Sequence, residues 1–142
     1  MSVLIVVESQ FGNTMTIARA VADGIAASGA EATVLRCGEA PADVPADVDL
    51  LLLGAPTHNL RLSSQASRTQ AVQRGATPGD GRGLADWIGR AQLRPDLRVV
   101  TFDTTTGGRF VGSAAKAAVK LLRGRGVRTA EQGLSFVVEG TA

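Results

Sequence analysis

The chain has 142 residues, of which 44% are hydrophobic and 20% charged, proportions typical of one globular domain. Its longest apolar runs, Val3–Val7 and Leu50–Leu53, fall well short of the ~20 residues that a membrane-spanning helix needs. No basic segment leads into an apolar one at the N-terminus, and the single cysteine, Cys37, cannot form an internal disulfide. We therefore expect a cytoplasmic protein with no signal peptide and no membrane contact.

The net charge of +2 is divided unevenly along the chain. Residues 1–57 carry two basic and seven acidic side chains, whereas residues 58–142 carry thirteen basic and six acidic ones. This division fits either a basic docking surface for an acidic partner or a set of solvated arginine-rich helix faces. The one Trp and four Phe residues do not alternate with the arginines, so we expect no nucleic-acid binding.

Strands and helices are predicted to alternate along the chain. Continuous apolar runs are typical of strands buried on both faces, and apolar residues four apart indicate a helix. The predicted strands are Val3–Val7, Thr33–Arg36, Leu50–Leu53, Arg98–Phe102 and Ser135–Val138, the last preceded by a broken piece near Val127–Ala130. The predicted helices are Thr14–Ser28, Ser64–Arg74, Leu84–Ala91 and Ser113–Arg123. This alternation predicts a single α/β domain, residues 1–142, built on an open parallel sheet with helices on both faces.

Three loops that follow predicted strands carry most of the polar residues: Ser9–Thr14, the loop after Gly54, and the loop after Asp103. In open parallel sheets, ligands bind at the carboxyl ends of the strands. The first loop opens a helix, and a helix N-terminus binds phosphate through backbone N–H groups. It contains no Lys or Arg and matches neither the nucleoside-triphosphate loop nor the dinucleotide-binding fingerprint. A single phosphate monoester is therefore the expected ligand.

These loops resemble those of the flavodoxin family. Ser9-Gln-Phe-Gly-Asn-Thr14 is similar to the family's phosphate loop, and Gly54-Ala-Pro-Thr-His58 is similar to the loop beside one face of the flavin. Phe102–Phe110 falls where the second flavin-flanking loop belongs. The resemblance implies a five-stranded sheet of order 2-1-3-4-5, non-covalent FMN and electron transfer. The residues that it implies for FMN binding are Ser9, Gln10, Phe11, Gly12, Asn13, Thr14, Pro56, Thr57, His58, Asn59, Asp103, Thr104, Thr105, Gly107 and Gly108.

The chain departs from the family pattern around the ring of the flavin. It has no tyrosine, and Trp87 lies in a helix pattern away from both flanking loops, where it is predicted to be core. His58 and Phe110 are then the remaining candidates for contact with the ring. Asp103 is predicted either to act as an acid or base or to cap the turn that follows it. No residue set predicts a metal site.

The last helix of the flavodoxin fold has no counterpart in the sequence, because only residues 139–142 follow the last predicted strand. One sheet face would then be left uncovered. We expect a second subunit, giving a homodimer through this face, or a partner segment to cover it, unless the sequence lacks a terminal piece.

The sequence leaves two candidate functions. The first is an FMN-binding redox protein, either a one-electron carrier or a small flavin reductase, whose partner is a redox protein or a small electron acceptor. The alternative is an interaction module of the same fold that has lost the flavin. A phospho-receiver domain is excluded because the acidic cluster and the lysine after strand five are missing.

Overall fold

The computed structural model describes residues 1–9, 12–57, 62, 64, 68, 83–105 and 114–137. Five parallel strands form one sheet in the order β2-β1-β3-β4-β5. Their bounds are β1 Ser2–Val7, β2 Glu31–Arg36, β3 Leu50–Pro56, β4 Arg98–Thr105 and β5 Ala130–Val137. The predicted sheet and its strand order are confirmed.

Three helices lie within the described residues: α1 Asn13–Ala27, α2 Leu84–Arg90 and α3 Ala114–Gly124. Each begins and ends within one residue of a predicted helix. The predicted helix Ser64–Arg74 falls mostly outside the described residues. Its two described members are joined by one helical hydrogen bond, in which the Arg68 N–H donates to the Ser64 carbonyl at 2.9 Å. None of the described helices is long and apolar enough to cross a membrane.

Central strands β1 and β3 are buried on both faces because their side chains are apolar at nearly every position. On one face they pack with α2 and α3 around Trp87, which is fully buried as predicted. On the other face they pack with α1 around Ile5 and Met15. The strands thus hold the starts of α1 and α3 at the same edge of the sheet.

Strand β5 is longer than the sequence predicts, beginning at Ala130 and not at Ser135. Its register against β4 shifts, since Thr101 and Asp103 on β4 pair with Gln132 and Ser135 on β5. A Cβ at Gly133 would lie 2.8 Å from the Thr101 carbonyl oxygen. The glycine therefore permits a bulge, and the bulge interrupts the alternating pattern by which a strand is recognised.

The face that carries α1 is covered unevenly. Over β1 and β3 its side chains are buried, whereas Val100 and Phe136 on β4 and β5 are half-buried and Leu134 is 71% exposed. Among the described residues, α1 is the helix that packs on this face. The homodimer expected through this face stays a prediction.

Candidate functional site at the carboxyl edge of the sheet

The described residues of the first predicted loop, Ser9 and Gly12–Thr14, lie at the start of α1. Gly12 precedes the helix with φ +90°, a left-handed conformation that favours glycine. The Ser9 hydroxyl oxygen accepts hydrogen bonds from the N–H groups of Gly12 at 3.1 Å and Met15 at 3.3 Å. Ser9 thus binds two of the amides at the start of α1, and the exposed Gly12 leaves the turn open to water.

Thr14, in the first turn of α1, faces inward. It is 1% exposed, and its hydroxyl lies 2.8 Å from the hydroxyl of Thr104 on β4. Either oxygen can be the donor. Two hydroxyls carry two protons and their mutual bond uses one, so the pair retains one proton to donate elsewhere.

Thr104 also joins the second loop to the third. It pairs in register with Pro56, and its carbonyl accepts a hydrogen bond from the Thr57 N–H at 2.8 Å. The structure therefore brings all three predicted loops together, with Thr104 in contact with residues of the other two. Thr105, the last residue of β4, is half-buried beside them.

Two of the predicted site residues hold the start of α3. The Thr57 hydroxyl accepts a hydrogen bond from the Ala114 N–H at 3.1 Å, and Asp103 Oδ2 accepts one from the Ala115 N–H at 2.9 Å. Asp103 is fully buried, and within the described residues its Oδ1 has no hydrogen-bond partner. Its observed contact is with the helix; the turn after β4, which Asp103 was predicted to cap, lies outside the described residues from residue 106, so that prediction stands untested.

Six of the predicted site residues lie outside the described part of the chain. They are Gln10, Phe11, His58, Asn59, Gly107 and Gly108. Phe110, the other candidate for contact with the ring, also lies outside it. The described members of the site are therefore the amide and hydroxyl groups at the starts of α1 and α3 and the strand ends between them.

Solved flavodoxins are similar to this chain in fold. An archaeal flavodoxin is 16% identical, with a TM-score of 0.67 over 99% of this chain and 86% of its own. The flavodoxin of Streptococcus pneumoniae TIGR4 is 21% identical, with a TM-score of 0.61 over 100% of this chain and 87% of its own. Two-electron reduced Megasphaera elsdenii flavodoxin is 22% identical, with a TM-score of 0.57 over 98% and 87%. The chain has a flavodoxin-like fold.

No protein-family model and no curated protein matches the sequence. The structural similarity to these proteins establishes the fold. At identities of 16% to 22% it does not identify a ligand, which has to be inferred from the site. In this flavodoxin-like sheet the strand order reverses between β1 and β3, since β2 lies on one side of β1 and β3 on the other. The Ser9–Thr14 turn and Thr57 lie at the ends of those two strands, where ligands of open α/β sheets bind.

Sequence reasoning missed two residues of the carboxyl edge. Glu8, directly after β1, is 4% exposed, and its Oε1 accepts a hydrogen bond from the Leu84 N–H at 2.7 Å, at the start of α2. Gly54 on β3 leaves room for Phe102, whose ring would lie 2.2 Å from a Cβ at that position. A carboxylate directly after a buried strand was the available signal for Glu8. Nothing local to the sequence indicated the contact between Gly54 and Phe102.

Most aromatic side chains in the described part of the chain are buried in the core. Trp87 is fully buried, and its Nε1–H donates to the Pro41 carbonyl at 3.3 Å. Phe102 is 6% exposed and packs edge-to-face on Phe136, with ring centroids 6.2 Å apart. Trp87 is therefore unable to stack on a ligand at the carboxyl edge, as its place in the sequence predicted.

Proposed function

We propose that the chain binds FMN at the carboxyl edge of the sheet and serves as an electron-transfer protein. The start of α1 supports this proposal, because it offers backbone N–H groups and hydroxyls. Neither Lys nor Arg occurs at position 9 or at positions 12–18. Such a neutral donor set suits one phosphate monoester at a helix N-terminus. FMN would supply the redox chemistry, accepting and releasing electrons at its ring.

The observation that carries the proposal is the position of the Ser9 hydroxyl. Its oxygen accepts from Gly12 and Met15, as an anionic oxygen at this helix start would. A phosphate oxygen entering the turn would take over those two amides, and the Ser9 hydroxyl could then rotate and donate its own proton to the phosphate.

Contacts with the ring would come from the second and third loops, mainly through the backbone. The Thr57 hydroxyl and the Asp103 carboxylate are both occupied at the start of α3. Pro56, Thr104 and Thr105 remain at the strand ends between the two helices. Flavin potentials are tuned by such neighbouring hydrogen bonds and charges.

Electron transfer without acid–base catalysis is the form of the function that the edge favours. The buried carboxylates at the described strand ends are Glu8 and Asp103, and each accepts a hydrogen bond from the first turn of a helix. Neither is exposed to a substrate. The described residues would therefore bind and tune the flavin, a role that a one-electron carrier and a flavin reductase both require.

The test compares FMN with riboflavin, which lacks the phosphate. Flavin absorbance and fluorescence are titrated with wild-type protein and with Gly12→Glu, which adds a negative side chain at the turn. We expect the wild type to bind FMN at least about 100-fold more tightly than riboflavin, since two charge-assisted hydrogen bonds at ~1.5 kcal/mol each give that ratio. Gly12→Glu should abolish the difference.

Gly29→Glu is the matched control for the glycine variant. Gly29 follows the other end of α1, has φ +94° and, like Gly12, has no heavy atom within 4 Å of an added Cβ. The two substitutions therefore impose similar backbone strain and the same charge. Equal binding of FMN and riboflavin by the wild type, or equal loss of FMN by both variants, would refute a phosphate site at the Ser9–Thr14 turn.

One observation favours the second candidate, an interaction module without flavin. Two amides of the turn, those of Gly12 and Met15, are already bound by the Ser9 hydroxyl. A turn that closes on itself needs no ligand to be stable. Absence of FMN binding up to ~100 μM, a free energy weaker than about 5.5 kcal/mol, would favour this candidate.

A further inference from the structure

Helix α3 carries a row of basic side chains on its outer side. Lys116, Lys120 and Arg123 are exposed, and their spacing of four and three residues places them on one face of the helix. We call these three residues the basic stripe. The other side of the helix is buried and contains Ala114, Ala115, Ala118, Val119 and Leu122. The stripe includes both lysines of a chain that otherwise uses arginine.

No acidic side chain belongs to the same part of the sequence. Between Asp103 and Glu131 the chain has six basic residues and no Asp or Glu. Glu131 pairs in register with Val100, whose side chain is on the α1 face of the sheet, so Glu131 faces away from α3. The charged side chains of α3 itself are therefore all basic.

The two lysines of the basic stripe are unfavourably placed on their own helix, whereas Arg123, in the last turn, suits the helix dipole and donates a hydrogen bond to the Ala130 carbonyl at 3.2 Å. Like charges four residues apart, as in Lys116 and Lys120, repel each other. A cation in the first turn also opposes the helix dipole, and Lys116 is the third residue of α3, whose first turn has no acidic residue.

The stripe begins beside the candidate FMN site. The Ala114 and Ala115 amides bind Thr57 and Asp103 at the carboxyl edge, and Lys116 follows them directly. The three residues then run away from that edge over about 10 Å, given the 1.5 Å rise per residue of a helix. A partner bound to the stripe would stand next to the site.

Acidic side chains are concentrated in the first part of the chain. The exposed acidic residues of the first 57 positions are Asp23, Glu31, Glu39, Asp43, Asp47 and Asp49. Asp23 lies within α1, Glu31 begins β2, and Asp43 pairs with Gln92, which follows α2. These acidic residues lie on several elements, whereas the charged side chains of α3 are all basic, so α3 is the surface that would attract an acidic partner.

We propose that the basic stripe is the docking surface for an acidic patch on a partner protein that exchanges electrons with this chain. The exchange of electrons rests on the proposed FMN function, whereas the docking itself does not. A protein is favoured over a nucleic acid because Leu121, 42% exposed beside Lys120, provides an apolar contact within the charged surface. The described part of α3 carries no aromatic side chain for stacking on bases.

The first test measures binding of poly-L-glutamate to the full chain without flavin, by calorimetry at low salt. The stripe variant is Lys116→Gln/Lys120→Gln/Arg123→Gln. The matched control is Arg19→Gln/Arg36→Gln/Arg98→Gln, which removes three exposed charges from other surfaces and gives the same net charge. The stripe variant should bind about tenfold more weakly than wild type, and the control less than about threefold.

Three outcomes would overturn the proposal. Equal weakening by both triple variants would mean that binding follows net charge alone. Tighter binding of single-stranded oligodeoxythymidine than of poly-L-glutamate would identify a nucleic-acid surface. Self-association of the wild type in sedimentation at low salt, lost in the stripe variant, would make a second copy of the chain the occupant. Circular dichroism of both variants checks that each is folded.

A second measurement links the stripe to electron transfer. In FMN-loaded, reduced protein, the stripe variant should be reoxidised more slowly by ferricyanide and faster by hexaammineruthenium(III), because the two oxidants carry opposite charges. Equal reoxidation rates in the stripe and control variants would mean that the stripe does not influence electron exchange at the redox site. They would overturn the proposal that the docked partner exchanges electrons with this chain. If the chain binds poly-L-glutamate but does not bind FMN, the proposed function is refuted. The proposed docking surface is then still supported.

Discussion

Helices α1 and α3 begin at the same edge of the sheet but are closed there in different ways. At α1 the amides of Gly12 and Met15 bind the hydroxyl of Ser9, three and six residues away. At α3 the amides of Ala114 and Ala115 bind side chains that are distant in sequence, Thr57 directly after β3 and Asp103 on β4. The amides at the start of α1 are thus bound by a nearby residue at the surface, whereas those at the start of α3 are bound by side chains from the core.

This difference determines which helix start is able to receive an anion. A phosphate can replace a neutral hydroxyl at the start of α1, where Gly12 is exposed. At α3 the place is already taken by a fully buried carboxylate, which would repel a phosphate. Two helix N-termini with the same dipole thus differ: the start of α3 is bound by the fold, whereas the start of α1 is the one where we propose a ligand.

The largest effect that would test this comparison is the removal of the Asp103 side chain. Asp103→Ala leaves the buried Ala115 N–H without its acceptor, so the free energy of unfolding should fall by about 2–3 kcal/mol in urea titrations. Asp103→Asn keeps an acceptor oxygen and should cost less than about 1 kcal/mol. An equal loss in both variants would mean that the negative charge itself is required there.

Much of the fold could be predicted from the sequence because its signals are local. The apolar run of β1 and the four-residue spacing in α1 predicted both elements to within one residue. Strand β5 was predicted too short because it is an edge strand, mostly exposed and interrupted at Gly133, so no alternating pattern marks it.

The site was predictable as a set of loops but not as a set of contacts. Turn and strand-end residues identified the three loops, and the parallel sheet places their ends at one edge. The hydroxyl pair of Thr14 and Thr104 joins residues 90 positions apart, and Glu8 reaches Leu84 across 76. Such contacts depend on packing, which composition and spacing do not encode.

Removal of the Ser9 hydroxyl should have an intermediate effect. Ser9→Ala frees amides near the surface, where water can replace the lost acceptor, so we expect a loss of about 1 kcal/mol in the same urea titration. Ser9→Thr retains the hydroxyl and serves as the control. A loss as large as that of Asp103→Ala would show that the start of α1 is sealed by the core in the same way as that of α3.

The smallest effect is the coupling between the two helix starts. Ser9 and Thr57 share no hydrogen-bond partner, since Ser9 accepts from Gly12 and Met15 and Thr57 accepts from Ala114. In a double-mutant cycle with Ser9→Ala and Thr57→Ala, the unfolding free energies should add to within about 0.5 kcal/mol. A larger coupling would have to pass through Thr104, whose hydroxyl contacts Thr14 and whose carbonyl binds the Thr57 amide. The carboxyl edge would then respond as one unit, and a ligand at α1 would also change the start of α3 and the basic stripe that follows it.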